Sequence, residues 1–527
     1  MSYKSKTFDE EPLVTRAGPR ARLWDGDEGT TLWPQKKKAG PETEESAETG
    51  GRKLNEADAG EADAFVTSRP IQSSGKISTQ SRKEWPTLKR GHALSFAGLL
   101  LFTAVTYFRP YELIPALSGF TSMAFWLAVL TLAVFIPTQL SVEGNLTYRP
   151  REVNFILLLL LMGLLSIPFA IEPAEAFPAF VDFIKVVTMF IVMINVVRSE
   201  KRLRAMFWLA FLVGIVLSFN ALNDYRQGKF LLGGLRIKGA LGGMFDNPND
   251  MALYLVMMIP LALGLLFVAR GISKRLIYGA LALLMIAGVV VSFSRANFMA
   301  LAITLFVMAW KIGRRNRMMV VALFIVAAAL FFIVVPHDYL GRLGTLLGGR
   351  DWGGEGSAHA REGLLVRSLL VMLRHPVFGV GMNNFHSVSI REQVSHNAYT
   401  QIGAETGIAA LVFYVLFMIA SYRRMRQIER ETFESRSKDR VYYLAVGLQG
   451  CLIGYMISSF FVSVAFLWYI YYLVGYALCL HRLYEAKGAS GIFRGGAEVR
   501  KASSIEEHLG APPTTTTFTP AAFEQQS

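Results

Sequence analysis

Three strings in this 527-residue chain set residues able to handle charge directly before long apolar runs. They are LRIKGALGGMFDNPND (235–250), SFSRANF (292–298) and SHNAYTQIGAETG (395–407). Each carries a cation or a titratable ring at its junction: Arg236, Arg295 and His396. An arginine guanidinium is a planar fork of donors that matches phosphate oxygens. A helix N-terminus adds unpaired N–H groups and the positive end of its dipole, so the two together make an anion site. Three such junctions on one face point to a shared polyanionic ligand, most simply a diphosphate. An imidazole with an ordinary pKa of about 6.5 suits a general base near neutral pH.

Each residue also has a plainer reading. Arg295 either snorkels to an interface or holds an anion. Arginine on that side of a tight hairpin runs against the charge bias described below, and inside a span it costs about 2.5–3.5 kcal/mol. Arg236, in a Gly-rich loop, is either solvated charge or a ligand. Asn247-Pro248-Asn249-Asp250 makes a good helix start by itself, with Asn as cap, Pro at the first position and an acid in the first turn. His396 sits beside a cap formed by Ser395 or acts on a substrate. Glu405 lies about two turns into an apolar run, where Gln401 one turn earlier can hydrogen-bond it. Asp182 and Lys185, three apart on one helix face, read first as an internal ion pair and second as ligand contacts.

Metal ligation is not expected. The histidines His337, His359, His375, His386 and His396 lack paired i,i+3 or i,i+4 spacing, and HExxH is absent. No GxxxxGK[ST] phosphate loop occurs, and the one Asp-x-Asp match, Asp25-Gly-Asp27, lies in a polar tail. No cofactor is expected either.

The elements that must position these residues are membrane helices. Hydrophobic residues make up 52% of the chain and mean hydropathy is +0.36. Runs such as 153–171 and 318–335 approach the roughly 20 residues that cross a bilayer, and their continuity excludes the alternation of a barrel. The sequence predicts an all-α integral membrane protein of about twelve spans: 92–108, 118–139, 153–171, 178–197, 203–221, 249–269, 275–292, 295–311, 318–336, 399–421, 441–461 and 464–483. A polytopic membrane domain therefore occupies 92–486, with a large loop, 337–398, between spans nine and ten. Residues 1–91 and 487–527 are polar and read as disordered tails. Cys451 and Cys479 fall inside apolar spans and read as packing residues.

The net charge of +14 does not indicate nucleic acid. Residues 1–91 hold 16 Lys/Arg against 15 Asp/Glu, so the excess sits in short connections between spans. Arg149 and Arg151, the 198–204 cluster, Arg270 to Arg275, Lys311 to Arg317 and Arg423 to Arg440 fall in alternate loops. Lys/Arg bias in short loops marks the cytoplasmic side. Both termini are thus expected in the cytoplasm, with loops 222–248 and 337–398 outside, in a bacterium the periplasm. The connection ARGISKR between spans six and seven leaves no central linker, and no internal repeat is visible. Both points weigh against a secondary transporter, the competing class, whose charged residues would lie near the midplane.

The strings resemble the O-antigen ligase and polymerase superfamily of bacterial envelope proteins. The matching pieces are Arg236 and Gly239 followed by Asn247-Pro248-Asn249, then Ser294-Arg295-Ala296, HPVFGVGMNNF (375–385), and His396, Asn397, Glu405 and Gly407. They cover a core of about 230–410. FRPYELIPAL (108–117) is similar to the opening of the subgroup associated with exosortase systems, while Thr400 stands where members often carry an apolar residue. The resemblance implies a metal-independent glycosyltransferase of the inner membrane, acting on its periplasmic face. Its donor would be a glycan on undecaprenyl diphosphate. Its acceptor would be a hydroxyl of lipid A core, a glycan or a protein; a polymerase of lipid-linked repeat units is the alternative. By the same resemblance Arg236 and Arg295 would bind the donor diphosphate and His396 would act as base toward the acceptor. Asn247, Asn249, Asn397, Glu405, Asp182 and Lys185 stand as supporting residues.

Overall fold

The computed structural model describes residues 91–120, 122–230, 237, 243–245, 247–313, 317–322, 325–326, 357–389, 392–434 and 440–489. The chain divides into two units, Met1–Gln80 and Ser81–Ser527. The first lies wholly outside the described residues, as do Arg236, Gly239, most of the ninth run, residues 337–356 of the loop and the C-terminal tail beyond 489.

The described residues form helices and no strand. In chain order these are α1 (Ala93–Phe108), α2 (Met123–Glu143), α3 (Arg151–Ser166), α4 (Pro173–Val196), α5 (Glu200–Arg226), α6 (Pro248–Val268), α7 (Ile272–Val291), α8 (Arg295–Ile312), α9 (Ser357–Arg374), α10 (Ala398–Thr406), α11 (Ile408–Glu431), α12 (Arg440–Ser458) and α13 (Trp468–Ala489). Among them α2 to α8, α11 and α12 are long and apolar enough to cross a membrane, nine in all, and α1 is a shorter apolar helix. The protein is an all-α membrane protein.

One expected span is divided. The run 399–421 is two helices, because Gly407 interrupts it at φ 91°. That region of backbone favours glycine, and a Cβ there would also collide with the carbonyl of Val377. The membrane-crossing helix begins at Ile408, and α10 is a separate short element in front of it.

The centre of the bundle is α6, whose residues from Met251 to Ala262 are buried on every face. A helix that is apolar all round belongs in such an interior position. Along it runs α12. A Cβ on Gly264 would stand 2.7 Å from the carbonyl oxygen of Tyr443, so the two backbones approach as closely as glycine allows. Further along, Gly450 meets Pro260 and Met308, and Gly454 meets Val256 and Thr304. Numbers rise along α12 as they fall along α6 and α8. Helix α12 is therefore antiparallel to both, and its Ser458 end lies where α6 and α8 begin.

The other end of the bundle is closed by basic side chains. Arg198 Nε donates to Asn195 O at 2.7 Å, Arg202 Nη1 to Val196 O at 2.8 Å and Arg482 Nη1 to Ile194 O at 3.0 Å. Together they satisfy carbonyls at the C-terminus of α4, where cations also complement the helix dipole. Glu143 pairs with Arg198 at 2.9 Å and with Arg482 at 2.8 Å. Lys311 pairs with buried Glu429 at 2.8 Å, and Arg424 with fully buried Glu152 at 2.5 Å. Buried carboxylates require such partners. Several of the basic residues that carry the charge bias are thus also structural clamps.

Candidate active site at the helix starts

At the start of α6, Asn247 caps the helix: its side chain accepts from Asn249 N at 2.9 Å, with Pro248 at the first position. Asn249 is buried and turns the other way, toward α8. Its Oδ1 accepts from Ser294 Oγ at 2.8 Å, and its carbonyl accepts from Asn297 Nδ2 at 2.9 Å. Asn297 Nδ2 also donates to Ser294 Oγ at 3.0 Å. The first two junctions are therefore one polar unit. Arg295, half-buried, opens α8 within it.

The α7–α8 hairpin that presents Arg295 is tight. Phe293 takes φ 53°, unusual for a bulky residue, and its ring lies against Tyr225 and Phe230, with centroids at 6.0 and 6.5 Å. Ser292 Oγ donates to Val289 O at 2.6 Å and accepts from Ser294 N at 3.3 Å. The loop before α6 is held separately. Tyr469 Oη donates to Met244 O at 2.6 Å, and buried Phe245 packs against Tyr107, Tyr254 and Tyr469.

The third junction joins through α12. His396 is half-buried and takes φ 52°, like Phe293 a left-handed backbone position at this end. Ser395 is not the cap of the helix that follows. Asn397 is, its side chain accepting from Tyr399 N at 2.9 Å and Thr400 N at 3.1 Å, because its own φ of −151° points the amide back over the first turn. Ser395 Oγ instead bonds Asn397 O at 2.9 Å and lies 3.1 Å from Ser463 Oγ. Tyr399 Oη donates to Met456 O at 2.9 Å and accepts from Ser459 Oγ at 3.3 Å. His396 is thereby anchored to the Ser458 end of α12, the end shared with Asn249 and Arg295. Arg236 lies outside the described residues.

Glu405 has a different setting from the one expected. It sits at the end of α10, outside the membrane-crossing helix, and is buried. Its carboxyl faces the backbone N–H groups of Asn383 and Phe385 and the side chain of Gln401, but Oε2 has no hydrogen-bond partner among the described residues, and burial pushes the pKa up to about 8. Its backbone carbonyl accepts from Gly381 N at 3.0 Å. Glu405 therefore holds the 381–385 loop. Asp182 and Lys185 form the expected ion pair, 2.6 Å, on a partly exposed face of α4.

Sequence reasoning missed what that loop touches. Glu172 N donates to Asn384 Oδ1 at 2.7 Å, Ser387 Oγ to Glu172 Oε1 at 2.7 Å, and His386 Nε2 lies 3.2 Å from Glu175 Oε2. The signal was the pair of carboxylates in EPAEAF, a short loop otherwise poor in charge. Among the described residues no group of three or more His, Cys, Asp or Glu side chains is placed to hold a metal ion.

The fold and the polar cap define a class: a polytopic helical membrane protein with polar residues, Asn249, Arg295 and His396 among them, gathered at helix starts on one end. Within it, residues 280–415 match the family model described as O-antigen ligase. The match covers about a quarter of the chain and supports the O-antigen ligase/polymerase superfamily. It contains Arg295, His396, Asn397 and Glu405. No curated protein matches the chain.

Proposed function

We propose that this chain is a membrane glycosyltransferase that moves a glycan from undecaprenyl diphosphate to a hydroxyl acceptor on the periplasmic face of the bacterial inner membrane. The observation that carries the reading is the placement of Arg295 and His396. Both lie in the segment matching O-antigen ligase, and both stand at helix starts tied to the same end of α12. The Lys/Arg-rich loops at the other end support a periplasmic site.

In this reading Arg295, with Arg236, neutralises the donor diphosphate. His396 takes the proton of the acceptor hydroxyl as its oxygen bonds to the anomeric carbon. The bond from that carbon to the phosphate oxygen breaks, and undecaprenyl diphosphate leaves with the electron pair. Guanidiniums and helix N-termini stabilise that departing charge without a metal. No nucleotide is consumed, since the donor bond already holds the driving force. Asn249 and Asn397 position the two helix starts.

The test is complementation of a deletion strain by His396→Ala and Arg295→Ala variants that still insert. Loss of glycan transfer from its lipid carrier is expected, and unchanged surface glycan in both would overturn the site. The deletion strain also separates the branches. Loss of an attached product indicates a ligase, and accumulation of single repeat units indicates a polymerase.

A further inference from the structure

At the end of the bundle away from Arg295, a cavity of about 360 Å³ opens between α5, α6, α7, α12 and α13. Its inner wall is apolar, with Phe207, Leu265, Leu444 and Leu480 among its residues. Its polar lining has one sign in excess: Arg204, Arg270 and Lys274, all exposed, against one acid, Glu200. The Trp208 indole stacks on the Tyr278 ring beside it, centroids 5.7 Å apart and planes 28° apart. These residues come from the first few turns of α5, α7 and α12, the last few turns of α6 and α13, and the short connection that carries Arg270. That is the depth at which a membrane helix meets the headgroups, and where Trp and Tyr concentrate.

We propose that this cavity is a binding site for an anionic diacyl phospholipid. The arginines and the lysine hold the phosphate, and an acyl chain enters the cleft between the helices. The volume falls within the range of ligand-binding cavities. Solvated topology charges alone would not need an apolar recess beneath them, and a packing defect alone would not need three cations around it. A soluble anion explains the cations but leaves the apolar wall without a function. Basic pockets between membrane helices are where anionic headgroups lodge. The inference rests on the membrane-spanning reading of these helices and is independent of glycan transfer.

The experiment uses the purified full chain in neutral detergent, with thermal melting followed as phosphatidylglycerol, phosphatidylcholine or sodium phosphate is added. Phosphatidylglycerol is expected to raise the melting temperature saturably, with little effect of the other two. In the Arg204→Gln/Arg270→Gln/Lys274→Gln variant the half-saturating phosphatidylglycerol concentration rises about a hundredfold, from roughly 1 kcal/mol per basic side chain. Ala269→Phe, which fills the cleft and leaves the cations, is also expected to weaken the response. Equal stabilisation by phosphatidylcholine, or by phosphate alone, overturns the assignment. So does a triple variant that responds like the native chain.

Discussion

Ser294 Oγ donates to Asn249 Oδ1 at 2.8 Å across 45 residues of chain, joining the start of α8 to the start of α6. Both side chains are buried, and Asn297 completes the triangle. Replacing Asn249 with Ala leaves the Ser294 hydroxyl without its acceptor. A buried polar group stripped of its partner costs about 1–3 kcal/mol. Asn249→Ala should therefore lower the melting temperature of the detergent-purified protein. It should lower glycan transfer as well, because the α8 start that carries Arg295 loses its brace. A variant with native melting and native transfer would show the triangle to be incidental.

Arg295 opens α8 inside that triangle. In the proposed reaction it faces charge that grows as the lipid diphosphate departs, and losing one such donor costs about 10²–10³ in rate. Arg295→Ala should fall by that order in a transfer assay with lipid-linked donor. Arg295→Lys should recover only part of it, since an ammonium cannot form two parallel bonds to a phosphate. Full recovery by lysine would argue for simple charge at this position.

His396 combines a ring with a left-handed backbone, so His396→Ala perturbs two things at once. A left-handed conformation costs an ordinary L-residue about 1–2 kcal/mol, whereas Asn adopts it more readily. His396→Asn should therefore insert and melt like the native protein yet lose about 10²–10⁴ in transfer, the span attributed to general base catalysis. Native transfer by the Asn variant would assign His396 a backbone role.

Glu405 predicts a pH dependence of stability. Its pKa is raised from 4.5 to about 8 by burial, so the fold holds the proton that the unfolded chain releases. The stabilisation from the neutral carboxyl is complete below about 4.5. It is lost progressively as pH rises to about 8, and is gone above that. Melting temperature should decline across that window in the native chain, and more gently in Glu405→Gln, which keeps the amide-facing carbonyl without the charge. Parallel curves for the two proteins would remove Glu405 as the cause.

The helices were legible because lipid demands long apolar runs, and α3 or α6 could hardly be read otherwise. Their ends were less so. Helix α5 continues through Asn220, Asn223 and Asp224 to Arg226, past the 221 expected, because hydropathy measures the apolar slab and not the helix. The division at Gly407 was hidden for a related reason: in IGAETGIAALVF a single Glu-Thr pair before the glycine is the only polar break, so hydropathy runs on through the change of direction. The chemistry of Arg295 and His396 could be proposed from residue type and position alone. The bond between Asn249 and Ser294 could not, since a contact between two polar residues 45 positions apart leaves no local pattern.

The place of α12 has a consequence for biosynthesis. It is encoded after every residue proposed for the reaction, yet it lies along α6 and α8 and anchors Tyr399 through Met456 and Ser459. A nascent chain that has not yet passed Arg440 contains both Arg295 and His396 but lacks the surface that brings their helices to a common end. On the proposed reading, a chain caught before α12 is in place should therefore transfer no glycan, although it already carries both residues.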